Sequence, residues 1–322
     1  MESPAISATP LYYDTDLGID DALALAFLLA SPEASIVGIG TVSGNCAAAQ
    51  AARNTVDLLA LAGRSDIPVA SGCHDWLAAP FDGGSPEVHG SNGIGDLSIP
   101  ESAIPTAGES AVDMLISLSH TYEGTLRVLA VGPFTNLAAA LQRDPGIARR
   151  VHSVVVMGGA ALAPGNCSPV AEANVFHDPE AARIVFAAPW ALVMVGLDVT
   201  MNHVFEDSDR LALLASDRPV ARALGQMLGH YTEYYRQVLG RRATALHDPL
   251  AAAIACGAVI PTLAPTVHVE VDDTHGPGRG QTICDLRGRF RNHPPQPGAH
   301  CTVVLEIAGA FAPVLLERIV SL

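Results

Sequence analysis

Lysine is absent from this chain: all 18 basic residues are arginine, and the first is Arg53. That omission removes Schiff-base lysines, a phosphate-loop lysine and Ser-Lys catalysis together. Paired cysteines are missing too. Cys46, Cys73, Cys167, Cys256, Cys284 and Cys301 are scattered and form no Cys-x-x-Cys. They read as small buried hydrophobes of a reducing compartment, so a cytoplasmic location is expected. No apolar run is long enough to cross a bilayer, and Met1-Glu2-Ser3-Pro4 lacks the basic-then-apolar pattern of a secretory signal. His-Glu-x-x-His and Gly-x-Ser-x-Gly do not occur, which disfavours the common zinc proteases and serine hydrolases. Gly38-Ile39-Gly40-Thr41-Val42-Ser43-Gly44 has one residue too many for the dinucleotide fingerprint. Positive charge is scarce as well. With 33 acidic residues and a net charge of −15, nucleic acid and anionic membranes would be repelled. A neutral small molecule, or one delivered with a cation, is the expected partner.

What is present is apolar sequence in short segments. A hydrophobic content of 49% and a mean hydropathy of +0.30 call for a large core. Leu11–Tyr13, Ser35–Thr41, Thr125–Val131, Ser153–Met157 and Ala191–Gly196 are strand-like. They alternate with helix-like segments at 22–30, 47–62, 136–142 and 179–186. This order predicts an α/β fold, one domain over residues 1–322 with an open, mainly parallel sheet flanked by helices. Its active site is expected at the C-terminal ends of the strands. Residues 72–108, rich in Gly, Pro and Ser, carry His89 and read as an active-site flap. Residues 206–240 read as helical, and another helix starts at Asp248-Pro249. Strand-like pieces follow at 266–271 and 302–307, separated by a turn-rich region from Gly276 to Gly298.

Chemistry concentrates at Asp14-Thr15-Asp16-Leu17-Gly18-Ile19-Asp20-Asp21, four carboxylates on the first strand-to-helix turn. Helix capping explains one acid, or two. It does not explain Asp14 and Asp16, and no basic residue precedes Arg53. A divalent cation is therefore expected, and all-oxygen ligation favours calcium or magnesium, with calcium suiting the crowding. His247-Asp248-Pro249 adds an acid and a proton carrier at a helix start, although His177-Asp178-Pro179 repeats the tripeptide. Asn166, Glu172 and Asn174 suit several hydroxyls, as a sugar requires, or equally the turns of an Asx-rich loop.

These motifs, taken in order, resemble the calcium-dependent nucleoside hydrolases, the inosine-uridine-preferring nucleoside N-ribohydrolases. The likeness runs through Asp14-Thr15-Asp16, Asp20-Asp21-Ala22, Gly44-Asn45 and Gly132-Pro133-Phe134-Thr135-Asn136. It continues through Met157-Gly158-Gly159, Asn166 to Glu172, Asn174, Asp178 to Ala182, Gly196 to Thr200 and His247-Asp248-Pro249. The resemblance implies one Ca2+ held by Asp16, Asp21, Asp248 and the Val131 carbonyl. It implies a ribose gripped by Asp20, Asn45 and Asn174, with Asn166 and Glu172 on the 5′-hydroxyl and Met157 beneath the sugar. His89 is retained in the flap and counts among the substrate contacts. Asp16 would take a proton from water, and His247 would protonate the leaving base. Homodimers or homotetramers are common in such proteins. Leu17 stands where the family usually has Pro, Val131 where Thr is common, Glu87 where another His is frequent, and Ala173 where an aromatic is frequent. Tyr231, Tyr234 and Tyr235 are expected either to stack on the base or simply to pack a helix.

Two other readings fit parts of the pattern. An aspartate-nucleophile phosphatase also starts with Asp-x-Asp after a first strand, but it usually needs a lysine. A calcium-dependent nucleoside or ribose binder without turnover would share the ligands.

Overall fold

The computed structural model describes residues 8–289 and 296–322. The N-terminal tetrapeptide and part of the Gly276–Gly298 region lie outside the described residues. Six strands, β1 (Thr9–Thr15), β2 (Ala34–Thr41), β3 (Val69–Ser71), β4 (Arg127–Ala130), β5 (Ser153–Met157) and β6 (Leu192–Val195), form the body of an eight-stranded sheet. Its order is β3-β2-β1-β4-β5-β6, and all these neighbours run parallel. Cys301–Val304 extends the sheet in parallel beside β6, and Thr266–Val267 closes that edge antiparallel.

This order has a switch point. From β1 the chain builds outward to β2 and β3, then crosses back and builds the other way from β4. The crevice between the C-terminal ends of β1 and β4 is where such sheets bind ligands.

Side chains alternate across the sheet, as a strand period of two requires. Leu11, Tyr13, Ile39, Leu129, Val155 and Val195 face one core. That core is closed by α1 (Ile19–Leu29) and the helices Pro219–Leu239 and His247–Cys256. Tyr12, Val128, Ala130, Val154, Val156 and Met194 face the other. On that side lie α4 (Ala111–Thr121), α5 (Thr135–Arg143) and the helix Pro179–Ala187, while α2 (Ala48–Leu61) and the short α3 (Pro86–His89) complete the early part of the chain. The Ala/Leu run of α1 is buried along nearly its full length, sandwiched between sheet and helices. Pro219 opens its helix at a position that needs no N–H, and Gly240, at φ +69°, ends it.

Several expectations shift. The helical stretch 206–240 is two helices, Asp207–Ala215 and Pro219–Leu239, because Pro219 starts a new one. The strand expected at 266–271 divides at His268: Val269–Val271 leaves the sheet to pair with Thr282–Cys284. The piece at 302–307 divides likewise, Glu306–Ile307 pairing with Pro261–Leu263. β3 and α4 carried no clear sequence signal.

Asn136, at the start of α5, ties three strand ends together. Its Nδ2 donates to Asp14 Oδ2 at 3.0 Å and to the Thr41 carbonyl at 2.9 Å, while its Oδ1 accepts from the Cys73 N–H at 2.9 Å. Asn136→Ala strips partners from several buried polar groups, and it is expected to lower unfolding stability by about 2–4 kcal/mol. Urea denaturation checks this, and a change under about 0.5 kcal/mol would contradict the bracing role.

Candidate active site

β1 ends at Thr15 and α1 begins at Ile19, so Asp16, Leu17 and Gly18 make the turn at the switch point. The strand period separates the acids. Asp14 points to the α4/α5 side, where its Oδ2 accepts from Tyr12 Oη and Asn136 Nδ2 at 3.0 Å each. Burial pushes its carboxyl up to about 7, against those two hydrogen bonds. It is a brace and stands apart from the cluster. Thr15 points to the other side and donates to Asp21 Oδ1. Asp21 Oδ2 accepts from the Gly18 N–H at 2.8 Å and from Asn45 Nδ2 at 3.1 Å, which fixes the carboxylate.

Asp16 lies in a glycine cradle. A Cβ on Gly44 would sit 2.0 Å from its Oδ2, and one on Gly132 would sit 3.0 Å from its Oδ1. The Asn45 N–H donates to Oδ2 at 2.6 Å, and Oδ1 is buried without a hydrogen-bond partner. Asp248 arrives from the first turn of the helix His247–Cys256. Carboxylate oxygens of Asp20, Asp21 and Asp248 lie within 4.8 Å of one another, all three side chains buried. Asp16 adjoins this triple closely enough for Asp21 to raise its pKa. Burial first, then the neighbouring acids, holds Asp16 and Asp248 well above the carboxylate range and lifts Asp20 to about 8. No arginine lines the adjoining cavity among the described residues. Oxygen-only donors, an orphaned acceptor and no counter-charge fit a hard divalent cation.

A cavity of about 310 Å³ opens over the cluster. Its floor is Val131 and Met157, at the ends of β4 and β5. Asn174 Nδ2 donates to the Val131 carbonyl at 2.6 Å and the Met157 carbonyl at 3.1 Å, which turns its Oδ1 towards the cavity it lines. Glu172 caps the helix Ala173–His177 through the Asn174 and Val175 N–H groups and also accepts from the Gly159 N–H at 2.9 Å. Burial raises Glu172 to about 7 despite those bonds. Asn166 lines the same wall, its Oδ1 accepting from the Ala173 N–H at 2.9 Å.

Opposite stands His89 on α3. Its Nδ1 accepts the Ile19 N–H at 3.0 Å, so it caps α1, and burial lowers its pKa to about 3. The ring is therefore neutral and carries its proton on Nε2. Residues 72–108 are fastened beneath by Asn54 Nδ2 to the Asn92 carbonyl at 2.7 Å and by the Ser102 N–H to Asp57 at 2.6 Å.

His247 is held at both nitrogens, by Thr200 Oγ1 at 2.7 Å from Nδ1 and by Tyr235 Oη at 2.6 Å from Nε2. Burial lowers its pKa to about 4. Tyr231, Tyr234 and Tyr235 share one face of their helix and all line the cavity. Tyr231 meets Tyr235 edge-on at 4.8 Å and lies 5.3 Å from the His89 ring.

Every residue expected at the site is therefore at or against one cavity: Asp16, Asp20, Asp21, Asn45, His89, Val131, Met157, Asn166, Glu172, Asn174, His247 and Asp248. The second His-Asp-Pro does other work. Asp178 caps the helix Pro179–Ala187 through the Ala181 N–H at 2.9 Å and accepts from Thr135 Oγ1 at 2.7 Å. Sequence reasoning did not single out Thr200 as a partner of His247, and only its place in the Gly196–Thr200 motif marked it.

The profile of the family described as "Inosine-uridine preferring nucleoside hydrolase" matches residues 11–310. The chain is 38% identical to a probable uridine nucleosidase 1 of Oryza sativa subsp. japonica over 74% of each chain. It is 33% identical to the pyrimidine-specific ribonucleoside hydrolase RihA of Enterobacter sp. (strain 638), over 97% of this chain and 98% of the relative. Its fold superposes on a plant nucleoside hydrolase, the PpNRh1 enzyme, with a TM-score of 0.91 at 31% identity, covering 98% of this chain and 100% of that one. Family profile, relatives and fold point the same way, and the chain belongs to the inosine-uridine preferring nucleoside hydrolase family.

Proposed function

We propose that this protein hydrolyses the N-glycosidic bond of ribonucleosides with the help of a calcium ion, using Asp16 as base and His247 as leaving-group acid. The observation that carries the reading is the set of buried carboxylates around one point, with an unpartnered Asp16 oxygen, beneath a cavity that ends at His247. Asp16, Asp21, Asp248 and the Val131 carbonyl would hold the cation. When bound, it compensates the carboxylate charge and gives the sugar diol and the attacking water a fixed point.

The chain's own groups do the rest. Asp20, Asn45 and the Asn174 Oδ1 hold the diol, and Asn166 and Glu172 take the 5′-hydroxyl. Breaking the C1′–N bond leaves positive charge on the ribose and negative charge on the base. Surrounding carboxylates favour the first, and a proton from His247 relieves the second. Asp16 accepts one proton from water while the remaining hydroxyl oxygen bonds to C1′. The products are ribose and a protonated, neutral base. Burial keeps His247 neutral in the free protein, so its protonated form belongs to the complex, where the base's growing negative charge favours it. Residues 72–108 serve as the cover over the sugar, through His89. The cytoplasm and a homodimeric or homotetrameric assembly complete this reading.

A reducing-sugar assay on uridine, cytidine, inosine and adenosine tests the activity. Ribose is expected from at least one of them, and none after exhaustive chelation. Binding without ribose release would favour the non-catalytic reading, and phosphate release from a phosphomonoester would favour a phosphatase. Asp16→Asn is expected to lower kcat by about 10³-fold with an unchanged circular-dichroism spectrum. His247→Ala should cost natural nucleosides about 10²-fold in kcat but leave an activated 4-nitrophenyl riboside nearly unaffected, because that aglycone departs without a proton. Equal losses on both substrates would show that His247 is not the acid.

A further inference from the structure

His177-Asp178-Pro179, the near copy of the site tripeptide, has a histidine that helix capping leaves unexplained. His177 is the last residue of the helix Ala173–His177, which Glu172 caps and on which Asn174 sits. Its Nδ1 is buried without a hydrogen-bond partner. Burial lowers its pKa, so the ring is neutral and offers a flat aromatic face. Trp76 lies on that face, with 5.0 Å between ring centroids and 14° between ring planes. In the other direction, Trp76 Nε1 donates to the Ser43 carbonyl at 3.1 Å, two residues before Asn45. The next residue is tied to the same tripeptide. The Leu77 N–H donates at 3.0 Å to Asp178 Oδ2, the oxygen that also accepts from Thr135 Oγ1.

Trp76 therefore touches both sides of the substrate cavity. Ser43 and Asn45 follow β2, whereas Glu172 to His177 follow β5, and β1 and β4 lie between those strands. Three strand spacings separate the two chain segments by about 14 Å where they leave the sheet. A sugar held at its diol by Asn45 and at its 5′-hydroxyl by Glu172 has to meet both at once. The segment after Trp76 returns to the first side. The Ser85 N–H donates to the Asn45 carbonyl at 3.1 Å, and a Cβ on Gly84, at φ +82°, would lie 2.4 Å from that oxygen.

We propose that Trp76, stacked on His177, is a positioning residue that sets the spacing between the diol-binding side and the 5′-hydroxyl side of the cavity. The proposal rests on the hydrolase reading above and adds a residue that acts on the sugar through others. Without the stack, the helix carrying Glu172 and Asn174 is no longer registered against Asn45, and the 5′-hydroxyl contributes less to reaching the transition state.

The test measures kcat/KM for uridine against 5′-deoxyuridine and for inosine against 5′-deoxyinosine, and reads the ratio in whichever pair is hydrolysed. That ratio does not depend on the fraction of protein that folds. Trp76→Ala is expected to shrink the advantage of the 5′-hydroxyl by about tenfold. His177→Ala, which keeps the tryptophan but removes the ring it rests on, should do the same. His177→Phe retains a flat ring, and the imidazole Nδ1 has no partner to lose. It is expected to hold the wild-type ratio within roughly twofold. Equal losses on both members of a pair in the alanine variants would overturn the proposal. So would a shift in His177→Phe as large as in His177→Ala, or a wild type indifferent to the 5′-hydroxyl. Absence of ribose from both parents with the wild type would instead remove the hydrolase reading, and this inference with it.

Discussion

Mutual repulsion among buried carboxylates is the constraint on which the site depends. Two ionised oxygens 4.8 Å apart, the outer separation within the Asp20, Asp21 and Asp248 triple, repel by about 3.5 kcal/mol at an effective dielectric of 20. Asp16 adds a fourth charge to the same neighbourhood. No arginine reaches the cavity among its described lining residues, and the chain has no lysine to send there. Protonating the acids relieves the repulsion, and burial first and these neighbours second raise the pKa values of Asp16, Asp20 and Asp248. Binding a divalent cation relieves it too, and does so with the acids ionised.

The fold assembles these charges without a long loop. β1 and β4 part at their C-terminal ends where the strand order reverses. β1 delivers Asp16 there, α1 presents Asp20 and Asp21 from its first turn, and β4 leads directly to the Val131 carbonyl. Gly44 and Gly132 keep two neighbouring loops close against Asp16, where any side chain would collide. Asp248 comes from far along the sequence, but its helix packs on α1, and Gly257 at φ +83° ends that helix. Precision at the site therefore comes from strand ends and helix starts, with hydrogen bonds such as Gly18 N–H to Asp21 fixing the acids.

Much of this was legible in the sequence, for reasons that differ by element. The strands β1, β2, β4, β5 and β6 announce themselves as short apolar runs between small-residue loops, and the first strand-helix turn fixes where the acids collect. The collinear motifs then carry the site residues, and the cavity brings them together. Other features depend on partners that local sequence does not encode. His177-Asp178-Pro179 and His247-Asp248-Pro249 look alike, yet one caps a helix and the other faces the acids. Asp14 reads as a fourth cluster acid until the strand period turns it towards Asn136. The break at His268 follows from two different strand partners on either side of it. β3 is only three residues long, and α4 mixes Ser and His among its apolar positions, so neither shows a strong period.

The central claim is that these carboxylates form one cation site. Isothermal titration of calcium into chelator-treated protein tests it most directly, with Asp248→Asn measured alongside. The account predicts one ion per chain for the wild type and affinity at least about 100-fold weaker for the variant. Unaltered binding by Asp248→Asn, or ribose release from a wild type that takes up no divalent ion, would contradict it.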